Sequence, residues 1–223
     1  MGDQKVLEPE QPVEKRQRLS AAKRRELILT CAKEVFAQHS YREASTSKLA
    51  EAAGITEPML YKHFGSKRGL FLAVLDHYTG RFIHQWRQRI EQHKREDGLQ
   101  VALAEVAMDY HAVVKADPDV PRVIFQGSAA AADDPEFAEA TGRYIMTVYH
   151  TFRGVMERAQ EARLIDADVN LDAATWGCMS MAFAAQFGLM HSLERREEVE
   201  QWQDWMLKSA SQLWLRGLHL SKE

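Results

Sequence analysis

The chain has 223 residues, enough for one large core or for a small domain beside a larger one. Its net charge of −3 is unevenly distributed, because residues 1–75 hold 13 Lys and Arg against 9 Asp and Glu and the remainder is acidic. The sequence has no apolar run of roughly twenty residues and no apolar secretory core at its amino end. These absences predict a cytoplasmic protein without a membrane partner.

Residues 1–19 are polar, hold two of the six prolines and lack hydrophobic periodicity, which predicts a disordered arm. A basic run begins in this arm and continues into the next segment, with no acid between Glu14 and Glu26. The run is either a solvated charged surface or a contact surface for nucleic-acid phosphates and the minor groove. Its members are Lys15, Arg16, Arg18, Lys23, Arg24 and Arg25.

A first helix is predicted from about Ser20 to His39, with an apolar stripe that would cover the two short helices after it. Ser45 or Thr46 can cap the first short helix, and Gly54 can end it in the left-handed conformation. Thr56 is the next candidate cap, before a second short helix from about Glu57 to His63. Two short helices around a glycine turn are typical of a helix-turn-helix, whose second helix enters the DNA major groove.

The segment TSKLAEAAGITEPMLYKHFGSK, residues 46–67, resembles the DNA-binding signature of TetR-family transcriptional repressors. The resemblance implies a homodimer that binds a palindromic operator, and it implies backbone or thymine contact by Tyr61 and phosphate contact by His63. The helix-turn-helix pattern itself places further residues toward bases or phosphates. The predicted DNA-binding residues are Ser45, Thr46, Thr56, Glu57, Pro58, Met59, Tyr61, Lys62, His63 and Lys67.

Helix follows helix in the rest of the chain, and no segment alternates like a strand. Helices are predicted at residues 67–93, 99–116, 122–132, 135–162, 171–192 and 199–219, with Pro118 and Pro121 in a turn. The predicted fold is therefore all-α. We predict the arm at 1–19, a helix-turn-helix DNA-binding domain at 20–66, and a larger helical ligand-binding and dimerisation domain at 67–223.

The last two predicted helices carry features of an interface between helices. Small residues recur along one face of the first, and the second is apolar on more than one face. Both faces could be covered within one subunit, but the TetR resemblance implies a symmetric four-helix dimer interface. The predicted interface residues are Gly177, Ala184, Gly188, Trp202, Trp205, Met206, Ser209 and Leu213.

Met and aromatic residues are frequent in the predicted body, where helical spacing makes core packing the default interpretation. The resemblance nevertheless implies a pocket between the middle helices, and apolar walls suit a small hydrophobic effector. The predicted ligand-binding residues are Phe82, Trp86, Met108, His111, Phe125, Tyr149, Phe152, Met179 and Phe183.

The sequence has no HExxH, GxSxG or phosphate-binding glycine loop. We therefore predict no catalytic residue, no metal and no cofactor. The predicted function is a ligand-responsive repressor. The alternatives are a helical small-molecule-binding or enzymatic bundle, a TetR-like regulator without a ligand, and an activator.

Overall fold

The computed structural model describes the backbone of residues 20–190 and 196–218, with the side chains of residues 20–187 and 201–218. These ranges contain nine helices and no strand, which confirms the all-α prediction. The predicted arm at residues 1–19 lies outside the described residues. The helices are α1 (Ala21–Gln38), α2 (Thr46–Ala52), α3 (Glu57–Phe64), α4 (Lys67–Glu96), α5 (Leu99–Ala116), α6 (Asp119–Ala130), α7 (Pro135–Glu161), α8 (Leu171–Met190) and α9 (Arg196–Gly217).

Helices α1 to α3 form a small head at the start of the long helix α4. The Ser20 hydroxyl caps α1 by accepting a hydrogen bond from the Lys23 amide at 3.2 Å. Ile28 of α1, Leu49 of α2 and Leu60 of α3 are all fully buried. Helices of seven and eight residues are marginal alone, so α2 and α3 depend on this burial for their stability.

Helices α4 to α9 form the body, whose centre is a cluster of aromatic rings. The ring of Trp86 lies 4.6 Å from that of Phe152 and 5.3 Å from that of Tyr110, measured between centroids. The Trp86 indole N–H donates to the Val106 carbonyl oxygen at 3.0 Å. Edge-to-face packing and a satisfied indole make this cluster a close-packed core.

Several polar contacts join the head to the body, and two of them involve α6 and the residue two positions before it. The Lys33 ammonium of α1 lies 2.8 Å from both carboxylate oxygens of Asp117, which precedes α6. On α6 itself, the Gln126 side-chain amide donates to the Phe36 carbonyl oxygen of α1 at 2.5 Å. The apolar residues buried in head and body also form one continuous cluster.

The clearest departure from the predicted helices is the start of α6, which the sequence analysis placed at Arg122. The helix begins at Asp119, and Pro121 is its third residue. The first amides of a helix have no intrahelical acceptor, so a proline there removes no hydrogen bond. Helix α4 also extends to Glu96, three residues past its predicted end at His93.

None of the helices within the described ranges is long and apolar enough to cross a membrane. The side chains described in 20–187 and 201–218 include no cluster of three or more His, Cys, Asp or Glu that could hold a metal ion.

Candidate functional site

Helices α2 and α3 form the predicted helix-turn-helix. The Ser45 hydroxyl caps α2 by accepting from the Lys48 amide at 3.2 Å, and Gly54 turns the chain with φ at +61°. Thr56 occupies the cap position of α3 but makes no side-chain capping bond, and Pro58 lies in the first turn. The Thr56 hydroxyl therefore does not cap α3.

Both ends of α3 are tied to neighbouring helices. At its start, the Thr46 hydroxyl of α2 donates to the Glu57 carboxylate at 2.6 Å. At its end, the Arg25 guanidinium of α1 donates to the His63 carbonyl oxygen at 3.4 Å and lies 4.5 Å from the centroid of the Phe64 ring. These contacts fix the direction in which α3 projects its exposed side chains.

Helix α4 approaches the end of α3 so closely that the first turn of α4 requires a glycine. A Cβ at Gly69 would lie 2.2 Å from the Phe64 carbonyl oxygen, far inside van der Waals contact. The Gly69 amide also donates to the Ser66 hydroxyl at 2.9 Å, which caps α4. The absent side chain thus permits direct contact between the two helices.

The predicted DNA-binding residues lie together on one side of the head and divide into two groups by exposure. The exposed ones are Ser45, Thr56, Pro58, Tyr61 and Lys62. The half-buried ones are Thr46, Glu57, Met59, His63 and Lys67. In the second group, Thr46 and Glu57 bond to each other, so each already has a structural partner.

Lys67 also has structural partners, which the sequence analysis did not anticipate. Its ammonium donates to the Tyr41 carbonyl oxygen at 2.8 Å and to the Arg42 carbonyl oxygen at 3.5 Å, and it lies 4.7 Å from the Tyr41 ring centroid. Lys67 therefore holds the α1–α2 connection against α4. An ammonium has three donors, so these two hydrogen bonds leave one for a phosphate.

The structure does not gather the predicted ligand-binding residues around one cavity. Phe82, Trp86, Phe152 and Met179 are buried among other core side chains. Tyr149 is at the edge of the body, where its hydroxyl donates to the Asp172 carboxylate at 2.6 Å. The first four of these residues therefore belong to the packed core of the described body, and Tyr149 is bonded at its edge.

Met108 and His111 instead line a cleft of about 430 Å³ between α5 and α9. His111 is 2% exposed, and its Nε2 lies 3.1 Å from a carboxylate oxygen of Asp204. The Lys115 ammonium lies 3.0 Å from the other oxygen of the same carboxylate. This cleft is polar on one side and opens beside the exposed Trp205.

Phe125 and Phe183 lie in a separate groove of about 230 Å³ between α6, α7 and α8, which we call the apolar groove. Most of its walls are aliphatic or aromatic, and none of its described wall residues carries a charge. The wall residues are Ile124, Phe125, Ser128, Tyr144, Ile145, Phe183, Gln186 and Phe187. The sequence analysis did not single out Gln186, because one polar residue on an apolar helix is not a site signal.

A buried hydrogen-bonded chain runs behind the apolar groove. The Tyr110 hydroxyl lies 2.9 Å from the Tyr144 hydroxyl and donates to the Gln186 side-chain carbonyl oxygen at 2.9 Å. Burial raises the pKa of Tyr110 and that of Tyr144 above the ordinary tyrosine value. Both phenols are therefore neutral near pH 7 and act as hydrogen-bonding groups.

The outward faces of α8 and α9 carry most of the predicted dimer-interface residues. Trp202, Trp205 and Leu213 are 56%, 67% and 68% exposed in the protomer, which is unusual for such large apolar side chains. Gly177 and Ala184 are exposed on α8, and Met206 and Ser209 are half-buried on α9. The surroundings of Gly188 lie outside the described residues.

Residues 28–74 match the family model described as "Bacterial regulatory proteins, tetR family". This range covers most of α1, all of α2 and α3, and the start of α4. The matched range therefore contains α3 and its exposed residues.

Curated relatives align with part of this chain. The HTH-type transcriptional activator FasR of Mycolicibacterium smegmatis is 32% identical over 109 residues, which are 49% of this chain and 48% of FasR. The HTH-type transcriptional repressor ComR of Escherichia coli is 39% identical over 85 residues, which are 37% of this chain and 40% of ComR. The chain thus spans about half the length, or less, of these curated relatives.

Solved structures share the fold over nearly the whole chain. The TetR-family transcriptional regulator PfmR of Thermus thermophilus has a TM-score of 0.67 at 20% identity, covering 86% of this chain and 99% of PfmR. FadR of Bacillus subtilis in complex with stearoyl-CoA has a TM-score of 0.64 at 18% identity, covering 89% of this chain and 99% of FadR. At such identities the likeness concerns the fold alone.

Proposed function

We propose, on the premise of the TetR-family match at residues 28–74, that the chain is a homodimeric TetR-family transcriptional repressor released by a small apolar effector. A protein in this role works in the cytoplasm, where the chromosome lies. The proposed division of the chain is an arm at 1–19, a DNA-binding domain at 20–66, and a ligand-binding and dimerisation domain at 67–223.

The single observation that best supports the DNA-binding role is that α3 is held at both ends by contacts with α1 and α2. This helix presents the exposed side chains of Pro58, Tyr61 and Lys62 on one side while Leu60 is fully buried on the other, and Thr56 is exposed at its cap position. Lys62 suits a guanine edge, and Pro58 can make only apolar contact. We assign phosphate contacts to Ser45, His63 and the remaining donor of Lys67, as described above.

Dimerisation is supported by the exposed apolar faces of α8 and α9. One recognition helix reads too few base pairs for a specific operator, whereas two on a two-fold axis read a palindrome. Covering Trp202, Trp205 and Leu213 with the same face of a second copy removes large apolar surface from water. We assign Gly177, Ala184, Gly188, Met206 and Ser209 to the same interface.

The apolar groove is the best supported effector site, with Phe125 and Phe183 as its walls. FadR of Bacillus subtilis, which has the same fold, binds stearoyl-CoA, and that likeness supports an effector with a long apolar part. The effector releases the operator only if it binds the DNA-free conformation more tightly than the DNA-bound one. In our proposal it does so by shifting α4 and changing the separation of the two heads.

The test is a selection of binding sites from random double-stranded DNA with the purified protein, followed by affinity measurements over a salt series. We expect a palindromic site bound by one or two dimers, with an affinity that falls steeply as salt rises because several phosphates are neutralised. Equal affinity for selected and scrambled DNA would refute the proposal.

The lysines of the head provide a matched pair of variants for base readout. Lys62 is exposed on α3 and Lys48 is exposed on α2, so each can be replaced by alanine without opening the core. We expect Lys62→Ala to relax the sequence preference at one position, and Lys48→Ala to leave that preference unchanged. A uniform loss of affinity for all sequences in Lys62→Ala would remove Lys62 from base readout.

An activator is the second candidate, because FasR, to which 49% of this chain aligns, is named an activator. The two roles differ in where the operator lies relative to the promoter, not in how the head binds it. A reporter driven by the selected site separates them. Expression that rises on deletion of the regulator indicates repression, and expression that falls indicates activation.

A further inference from the structure

We propose that the apolar groove selects an uncharged apolar molecule carrying one strong hydrogen-bond acceptor, such as a ketone, ester or thioester carbonyl, and that the Gln186 side-chain amide is the group that recognises this acceptor. The inference deepens the proposed function and rests on it for the role of the molecule as effector. The selectivity itself is a property of the groove and can be measured without DNA.

As a first step, the donor and acceptor of each hydrogen bond between Tyr144, Tyr110 and Gln186 can be assigned. Tyr110 has a single hydroxyl proton, and it donates that proton to the Gln186 carbonyl oxygen, which can only accept. The 2.9 Å contact between Tyr110 and Tyr144 must then use the proton of Tyr144. The order of donation is therefore fixed as Tyr144 to Tyr110 to Gln186.

This order leaves the Gln186 amide nitrogen as the donor available to a ligand. The residue is 8% exposed and forms part of the groove wall, and its nitrogen makes no hydrogen bond within the side chains that the structure describes. A nearly buried amide donor gains a hydrogen bond if a ligand supplies an acceptor. In this proposal, the Tyr110 bond to the carbonyl oxygen holds the amide so that its nitrogen faces the groove that Gln186 lines.

The second step is the electrostatic character of the walls. The eight described wall residues, Tyr144 among them, are uncharged at pH 7. Burial raises the pKa of Tyr144, and that of Tyr110 behind it, still further above neutrality. A carboxylate that entered this groove would lose its hydration without gaining a cationic partner. A neutral carbonyl oxygen pays a much smaller desolvation cost and needs only the single donor that Gln186 offers.

The third step is the position of the two rings at the mouth of the groove. Phe125 and Phe187 are 47% and 52% exposed, and their ring centroids are 6.3 Å apart. They offer apolar surface to the body of a ligand whose acceptor points inward to Gln186. Ser128, a further polar wall residue, is exposed, and its hydroxyl already donates to the Ile124 carbonyl oxygen at 3.0 Å, so it discriminates less.

Three probes of similar shape test the selectivity by isothermal titration calorimetry on the full chain. Benzophenone carries the neutral carbonyl, diphenylmethane replaces it with a methylene group, and 4-benzoylbenzoate adds a carboxylate. We expect benzophenone to bind about five- to tenfold more tightly than diphenylmethane, which corresponds to one hydrogen bond. We expect 4-benzoylbenzoate to bind more weakly than benzophenone.

Two variants of Gln186 assign the preference to its amide. Gln186→Glu keeps an acceptor for Tyr110 but replaces the amide donors with a carboxylate, and Gln186→Leu removes all polar atoms at similar volume. Both are expected to lose the preference for benzophenone over diphenylmethane, whereas the control Ser128→Ala retains it. Circular dichroism and thermal unfolding establish that each variant is folded.

The inference is overturned if the wild-type protein binds the ketone and the hydrocarbon equally, if it prefers the carboxylate, or if no probe binds at up to about 1 mM. It is also overturned if folded Gln186→Glu and Gln186→Leu both keep the wild-type preference. Failure of the proposed function is a separate result, since it requires that the site selection yield no specific DNA. Probe binding and DNA binding are therefore independent outcomes.

Discussion

Replacing Arg25 with alanine tests whether the recognition helix depends on its tie to α1. Arg25 belongs to the basic run that could serve phosphate contact, yet its guanidinium is directed to the end of α3. It stacks 4.5 Å from the Phe64 ring centroid and donates to the His63 carbonyl oxygen at 3.4 Å. In Arg25→Ala, α3 keeps its buried Leu60 but loses the contact that fixes its far end.

The expected size of the effect follows from the two interactions. An exposed cation–π contact contributes about 0.5–1 kcal/mol, and a long hydrogen bond in water contributes about 0.5 kcal/mol. Together they favour the bound orientation of α3 by about 1–1.5 kcal/mol, and the affinity for the selected operator should fall by roughly five- to twelvefold. The affinity for scrambled DNA should hardly change, because the lost contact lies within the protein.

Fluorescence anisotropy over a salt series distinguishes positioning from phosphate binding, with Arg24→Ala as the control. Arg24 is half-buried, carries the same charge and makes no side-chain hydrogen bond or ion pair in the part of the chain that the structure describes. If Arg25 is a positioning residue, its variant keeps the wild-type salt slope and loses specificity. A slope reduced by about 0.9, with equal losses on both DNAs, would refute this reasoning and make Arg25 a phosphate contact.

Three further outcomes follow from the structure. Trp205→Glu should give a folded monomer in sedimentation equilibrium, since this side chain is 67% exposed in the protomer, whereas Gln88→Glu, an equally charged change at an exposed position on α4, should leave a dimer. Lys33→Ala should lower the free energy of unfolding in urea by about 1–2 kcal/mol, because it leaves a partly exposed carboxylate without its partner, and an unchanged midpoint would contradict this. A hydrogen bond with Asp97 raises the pKa of His93, so the charged imidazole stabilises the fold fully below the unfolded-state pKa of about 6.5. That stabilisation is lost as the pH rises through the folded-state pKa, and the stability difference between wild type and His93→Gln should shrink from about pH 6 to pH 8.

The head could be predicted from the sequence because its signals are local. The Ser45 cap acts on an amide three residues away, and Gly54 takes its positive φ for its own turn. Thr56 occupies the predicted cap position, and α3 is one residue longer than predicted. The ties at its two ends could not be predicted, because Arg25 and His63 are 38 residues apart and only the packing of α1 brings them together.

The apolar groove could not be predicted from the sequence as the head could. Helical spacing of aromatic residues indicates which side chains are buried, but it does not distinguish a packed interior from the wall of an opening. Trp86 and Phe152 belong to the first class and Phe183 to the second, although all three have the same kind of neighbours in sequence. Gln186 lies in a run that is otherwise apolar, and only its bond to Tyr110, 76 residues away, makes it a candidate site residue.

The close approach at Gly69 bears on how this sequence can vary through evolution. Solvent exposure is a common guide to which positions accept substitution, and by that guide a half-buried residue in a first helical turn is permissive. Here the obstacle is a backbone oxygen 2.2 Å from the position of any Cβ, and a backbone atom cannot swing aside as a side chain does. In a library of all single substitutions selected for operator binding, position 69 should remain glycine while the exposed Asp76 of the same helix varies. In alignments of close homologues this position should also be glycine, because the backbone leaves no space for a side chain there.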